Sequence, residues 1–247
     1  MHRILHTKKL IQDQTIEITD ATEYHHAVDV LKLKENNKVE VFNGTGDIAK
    51  GIIIDISHRK IIINLVECLH FKCSSPEIIL ACAIPKRSKF EIIIEKSTEL
   101  GVDRIIPLHT ENTEVILKEE RWRTKQKRYQ AVALSAVRQS KRYYIPIIQA
   151  PMTLDKALSF VDNDNTQGFI PSLQEKSQSL LNALQNKISP DNKSIIFFIG
   201  PEGDFTTDEY LLASNKGCTA VTLGSKVLRV ETAAITVMAV SNLFFTS

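Results

Sequence analysis

The residues best suited to do chemistry in this 247-residue chain gather near its carboxyl end. One group is "IIFFIGPEGDFTTDE", Ile195 to Glu209, where an apolar run meets Gly200-Pro201-Glu202-Gly203; the other is "TAVTLGSKVLRVETAA", where Arg229 and Glu231 stand beside a helix start. A carboxylate can take up a proton or hold a hydroxyl, and an arginine can stabilise negative charge as it develops. Gly200 and Gly203 remove side chains where a ligand could approach the backbone, while Pro201 fixes one φ and stiffens the turn. The spacing fits neither GxxxxGK[ST] nor GxGxxG, so the ATP and dinucleotide readings both lack their motif. A single Gly-x-x-Gly after a strand reads as a structural turn. The second glycine-marked loop, one strand later, is what favours a ligand site, because it puts two such loops at one edge of a sheet.

The elements that must position these loops are legible as well. Ile195 to Ile199 fits a strand buried on both faces, and Thr206 with Glu209 forms a capping box that opens the next helix. The turn therefore lies at the carboxyl end of a central strand, where open α/β sheets bind ligands. From "IILACAI" onward, strands alternate with helices: "FEIIIEKSTEL", "RIIPLH", a long helix ending near Ser140, "GFI", "SQSLLNAL", "IIFFI", "TTDEYLLASNK", "TAVTL" and "TAAITVMAVSNLFF". Such alternation predicts a mainly parallel sheet covered by helices on both faces. The first part differs. "KVEVFNGTGDIAKGIIIDI" reads as two strands around Asn43-Gly44, "SHRKIIINLVE" as another turn and strand, and "YHHAVDVLKL" as a short helix capped by Asp20 with Glu23 three residues on. These features predict a small β-barrel over residues 1–72 and an α/β domain over 73–247, joined at "CSSPE".

Net charge is only +2 with pI near 8.3, so a nucleic-acid partner would be held by local basic patches. Lys86, Arg87 and Lys89 follow the first parallel strand on the ligand side of the sheet and read as phosphate contacts. The basic residues of "KEERWRTKQKRYQ" read as a solvated helix face, and His25 and His26 as packing or surface groups without metal partners. No apolar run approaches the roughly 18 residues of a membrane span, the amino terminus has no signal-peptide core, and a cytoplasmic location is expected. The four cysteines lack zinc-site spacing and read as reduced, mostly buried thiols; no metal is expected.

"MHRIL", "VLKLKENNKVEVFNGTG", "AIPKRSKFEIIIEKSTELGV", "RQSKR", "GPEG" and "LGSKVLRVETAA", in that order, resemble the RsmE family, ribosomal RNA small subunit methyltransferase E, within the SPOUT-class knotted methyltransferases. The resemblance runs over the whole chain. It implies an RNA-holding PUA-like barrel, a SPOUT α/β trefoil-knot catalytic domain, and methyl transfer from S-adenosylmethionine to N3 of a uridine in 16S ribosomal RNA of the small ribosomal subunit. It also implies a homodimer whose interface completes the active site.

On that resemblance the cofactor contacts are Ile199, Gly200, Pro201, Gly203, Leu223, Gly224, Val227, Leu228, Thr232 and Ala233. The catalytic candidates are Arg229, Glu202 and Glu231. Arg229 either stabilises negative charge on the uracil or braces the knot through a salt bridge to Glu202 or Glu231. Glu202 could meet ribose hydroxyls or orient Arg229, while Glu231 could simply favour the helix dipole. RNA contacts fall to Arg3 and Lys32 in the barrel, to Lys86, Arg87 and Lys89, and to Gln139 and Arg142. Three residues depart from the family pattern: Asp204 where a second glycine is usual, Arg138 for glutamate and Asn112 for arginine. The competing readings are a SPOUT methyltransferase of another RNA or of a ribose 2′-hydroxyl, and a non-catalytic RNA-binding assembly factor.

Overall fold

The computed structural model describes residues 1–73, 75–86, 89–161, 165–172 and 177–246. It divides into two compact units: Met1–Cys73 with Lys141–Ile145, and Ser74–Ser140 with Pro146–Ser247.

The first unit holds β1 (His2–Leu5), β2 (Thr15–Ile18), α1 (Ala21–His25), β3 (Lys38–Phe42), β4 (Asp47–Ser57) and β5 (Lys60–His70). Its sheet runs β1-β3-β4-β5-β2, antiparallel except for the β1–β3 pair. Alternate residues such as Ile4, Val39, Val41, Ile53, Ile61, Ile63 and Leu65 are buried together, which is the period-2 pattern of strands with one face in a core. Asp20 caps α1 by accepting the Thr22 and Glu23 N–H groups. Glu23 goes further than a cap: buried, its carboxylate accepts the Leu5 N–H of β1 and ties the helix to the sheet. Gly44 and Gly46, at φ +76° and +104°, turn the β3–β4 connection, with Asn43 accepting the Thr45 and Asp47 N–H groups. The β4–β5 turn places His58 and Arg59 at positive φ without help from glycine.

A five-residue strap, Lys141–Ile145, completes this unit. The Ile145 N–H donates to Gly44 O, the Gly46 N–H to Tyr143 O and the Tyr144 hydroxyl to Phe71 O, while the Tyr143 ring stacks on Phe71 at 3.9 Å. Gly46 is required there, since a Cβ would stand 2.4 Å from Phe71 O. Arg3 anchors the strap from β1: its guanidinium donates to Arg142 O at 2.8 Å, pairs with Glu40 at 2.6 Å and lies 4.4 Å over the Phe42 ring.

The second unit contains β6 (Glu77–Ala83), α2 (Lys89–Glu99), β7 (Arg104–His109), α3 (Glu119–Ser140), β8 (Ile147–Ile148), β9 (Met152–Thr153), α4 (Leu154–Leu158), β10 (Thr166–Pro171), β11 (Gln178–Ser179), α5 (Leu180–Lys187), β12 (Ser194–Ile199), α6 (Thr207–Asn215), β13 (Thr219–Thr222) and α7 (Val230–Thr246). Among the described residues its eight strands all pair in parallel, in the order β11-β13-β10-β12-β6-β7-β8 with β9 on β7. Successive residues of β12 serve opposite faces. Ile195, Phe197 and Ile199 pack with α2, α3, α5 and α7; Ile196 and Phe198 pack with α4 and α6. The helix-covered parallel sheet expected from the alternation is present, and the Thr206–Glu209 capping box forms in full. The two-residue strands and α4 escaped the sequence reading because they are too short to show a period. Trp122 and Tyr129 of α3 are core residues, with Tyr129 against both Phe90 and Trp122, while Arg121, Arg123, Lys127 and Arg128 are exposed.

Cys82 and Cys218 are buried, but Cys73 is exposed and Cys68 half-buried, fewer buried thiols than expected. All four are free.

Candidate functional site

The carboxyl ends of β10, β12 and β13 converge on a cavity of about 310 Å³, inside the range of small-molecule sites, roughly 300–1,000 Å³. Three loops line it: Pro171 and Ser172 after β10; Ile199, Gly200, Pro201, Glu202 and Asp204 after β12; Leu223, Gly224, Lys226, Val227, Leu228 and Arg229 after β13. Val230 and Ala233 of α7 and Tyr210 of α6 close the sides. The strand order brings the last two loops together, because β10 alone separates β12 from β13.

The β12 loop is held from several directions. Its first glycine is an internal requirement, since a Cβ at Gly200 would meet the Phe205 ring at 3.1 Å. Gly203 backs onto Asn112, whose Cβ would lie 3.2 Å from an added Cβ. The Asn112 amide donates to Gly203 O and Asp204 O at 3.2 and 3.0 Å. The residue read as a departure from the family pattern thus braces the loop. From the β6 side, the Lys86 N–H donates to Glu202 at 3.1 Å, and from the β7 side the Glu111 N–H donates to Glu209 at 3.0 Å. Asp204 sits at φ +62°, a region where aspartate is tolerated better than most side chains. Its carboxylate accepts the Phe205 N–H and the Tyr210 hydroxyl, both at 2.8 Å. Burial first, then Asp204, push the Tyr210 phenol well up, so it stays protonated and donating.

The β13 loop is more open. Gly224 stands at φ +120° with no atom within 4 Å of an added Cβ, and Val227 is 83% exposed. Arg229 is exposed, and among the described residues no carboxylate lies within ion-pair distance of it. The brace to Glu202 or Glu231 therefore does not form. Glu231 pairs instead with Lys89, at 3.0 Å. Burial works to raise the Glu231 carboxyl, but its own backbone N–H, Lys89 and Arg229 outweigh that and hold it below the usual carboxylate range. Its Oε2 is buried without a hydrogen-bond partner. Beneath the loops, burial and then Glu202 and Glu231 push the Cys82 thiol up, leaving it an inert core group.

Of the residues assigned from sequence, the cavity gathers Arg229 and Glu202 together with Ile199, Gly200, Pro201, Leu223, Gly224, Val227, Leu228 and Ala233. Gly203, Thr232 and Glu231 stand outside its lining. Lys226, Ser172, Pro171 and Tyr210 were missed. Lys226 lay within a quoted motif, but nothing local marks the β10 loop or the outer face of α6. The basic set divides. Lys86 pairs with Glu114 at 2.8 Å and Lys89 with Glu231, so neither is an uncommitted charge. Lys32 is exposed at φ +53°, Gln139 is exposed on the last turn of α3, and Arg142 belongs to the strap of the first unit. Arg3 is buried, which argues against phosphate contact, and Arg87 lies outside the described residues. Among the described residues no group of three or more His, Cys, Asp or Glu could hold a metal, and no helix is long and apolar enough to cross a membrane.

The model of an RNA methyltransferase domain matches residues 73–242, and that of an RNA methyltransferase PUA domain matches 18–66. Ribosomal RNA small subunit methyltransferase E of Rickettsia conorii is 32% identical over 243 residues, covering 96% of this chain and 93% of that protein. The chain belongs to the ribosomal RNA small subunit methyltransferase E family. The Synechocystis member is 31% identical over 98% of this chain and 77% of its own. Among solved structures, the family member from Neisseria gonorrhoeae bound to S-adenosyl methionine superposes with a TM-score of 0.86 at 25% identity, covering 99% of this chain and 98% of that one. A Legionella pneumophila structure with bound cofactor SAM gives 0.86 at 28% identity over 98% and 97%. The matched models place an RNA methyltransferase PUA domain before an RNA methyltransferase domain, the two-part organisation expected from the sequence.

Proposed function

We propose that this chain methylates N3 of a uridine in 16S ribosomal RNA of the small subunit, using S-adenosylmethionine, and that it does so in the cytoplasm. The observation that carries the reading is a cavity between two glycine-marked loops, lined by Glu202 and by Arg229, which among the described residues pairs with no carboxylate. The cavity residues fit the cofactor. Ile199, Leu223, Val227, Leu228 and Ala233 offer an apolar bed, the open space at Gly224 admits a close approach to backbone, and Glu202 and Asp204 offer acceptors to hydroxyls and counter-charge to a cation.

Bound there, S-adenosylmethionine supplies a methyl group already activated on a sulfonium. The remaining work belongs to the protein, because uridine N3 carries a proton that must leave before or during attack. Arg229, which among the described residues forms no ion pair, is available to stabilise the negative charge that forms on the uracil ring. Glu202 binds the Lys86 N–H through one oxygen and keeps the other for a hydroxyl or the departing proton. Glu231 is held ionised by its surroundings and keeps Lys89 in place at the mouth of α2. The target base has to be presented outside a duplex. Lys32 and Gln139 remain the exposed candidates for RNA contact.

Labelled methyl transfer to small subunits from a deletion strain, followed by nucleoside mass spectrometry, tests the reading. Label at uridine N3 is the expected result; label on a ribose, or none, overturns it.

The loop brace gives a second expectation. Asn112→Ala removes both of the Asn112 amide's hydrogen bonds to the β12 loop while leaving the cavity lining intact, and should weaken adenosylmethionine binding several-fold by calorimetry. Gly203→Val should act the same way, by pushing Asn112 aside. Unchanged affinity in both folded variants would separate the loop from the cofactor.

A homodimer is part of the same proposal. One face of α7 is buried through Val230, Ala234, Val237 and Met238, yet Leu243 remains 67% exposed on a helix with hardly a charged residue. Light scattering at micromolar concentration should give twice the 27.8 kDa chain mass; a monomer would remove the shared active site.

A further inference from the structure

We infer that Asp204 is the charge-selecting residue of the cavity, a carboxylate fixed to favour the cationic sulfonium of adenosylmethionine over its neutral demethylated product. The inference rests on the methyltransferase reading and goes beyond it, because it assigns the discrimination between substrate and product to one side chain.

Three observations carry it. Asp204 lines the cavity in the same loop as Glu202, on the same cavity as Arg229, the residues assigned to the reacting end. Its orientation is fixed: Oδ1 accepts both the Phe205 N–H and the Tyr210 hydroxyl, and the Asn112 amide holds its backbone carbonyl. The Tyr210 hydroxyl, whose one proton goes to Asp204, is also hydrogen-bonded by the Ser172 side chain, so the carboxylate is referenced to the β10 loop as well as to its own. The other cavity carboxylate, Glu202, is drawn toward the Lys86 N–H and is not held in this way. A fixed carboxylate needs no reorganisation when positive charge arrives, and a ligand that covers this exposed side chain strengthens the attraction by excluding water from it. Methyl transfer converts the sulfonium into a neutral thioether. The attraction vanishes with the charge, and the product leaves a site that no longer favours it.

The test is calorimetric affinity for adenosylmethionine and for adenosylhomocysteine, measured on the full chain. Asp204→Asn is nearly isosteric and tolerates positive φ, and Asp204→Gly suits that φ better still, so both should fold. Each should weaken adenosylmethionine about tenfold and leave adenosylhomocysteine within twofold, collapsing the preference for the charged ligand. Tyr210→Phe, which frees the carboxylate without removing it, should reduce the preference by a smaller factor. Equal weakening of both ligands would overturn the inference, since it would assign the carboxylate to the α-ammonium they share or to loop shape. No weakening of either would overturn it too. Failure of the wild-type chain to bind adenosylmethionine at all would remove the methyltransferase reading along with it.

Discussion

Arg229→Ala should lower the single-turnover rate of methylation on saturating small subunits by roughly a hundredfold to a thousandfold, the loss of about 3–4 kcal/mol that follows removal of one charge-stabilising donor. Melting temperature and adenosylmethionine affinity should stay close to wild type. The separation follows from the side chain's surroundings. Arg229 is exposed and, among the described residues, pairs with no carboxylate, so its removal strands no buried charge and breaks no brace. An interaction made only as negative charge develops on the base lowers the barrier without tightening the ground state. A rate within a few fold of wild type would end the catalytic assignment and pass it to Glu202. A fall in stability or in cofactor affinity as large as the fall in rate would restore the structural reading that the absent salt bridges argue against.

The parts of this molecule legible in its sequence are those set by local chemistry. Ile195 to Ile199 announces a central strand because no polar residue interrupts it, and Thr206 with Glu209 announces a helix start because a cap requires those types at that spacing. The cavity followed from those two facts and from where parallel sheets bind ligands. What escaped was non-local. Gly200 and Gly203 look like openings for a ligand, yet their missing side chains make room for Phe205 and Asn112. Lys89 looks like a phosphate contact until α7 brings Glu231 within 3.0 Å of it. His58 and Arg59 turn a hairpin with no turn residue to mark it. The strap at 141–145 could not be foreseen, because nothing in "KRYYI" says that it will pair with residues a hundred positions earlier. Asn112 and Asp204 stood out as departures from the family pattern, and both prove to be wired into the same loop.

Arg3→Ala should destabilise the first unit by about 3 kcal/mol in urea unfolding, within the range expected when one partner of a buried charged contact is removed. Arg3 stands opposite Glu40 in the β1–β3 register, with its side chain only 5% exposed. Alanine would leave Glu40, itself 24% exposed, without its counter-ion, uncover the Phe42 ring and release the carbonyl of Arg142 that fixes the strap. Arg3→Lys should recover only part of the loss, because a single ammonium cannot serve a carboxylate, a carbonyl and a ring face at once, as a planar guanidinium can. The competing role, a phosphate contact, predicts something different at temperatures where the variant is folded. Neutralising one phosphate-bound arginine lowers the slope of log affinity against log salt by about one. An Arg3→Ala protein as stable as wild type, with that reduced slope, would mean the guanidinium leaves its buried seat to meet RNA. Lost stability with an unchanged slope is the expected outcome, because reaching a phosphate would require giving up Glu40, Phe42 and the strap together.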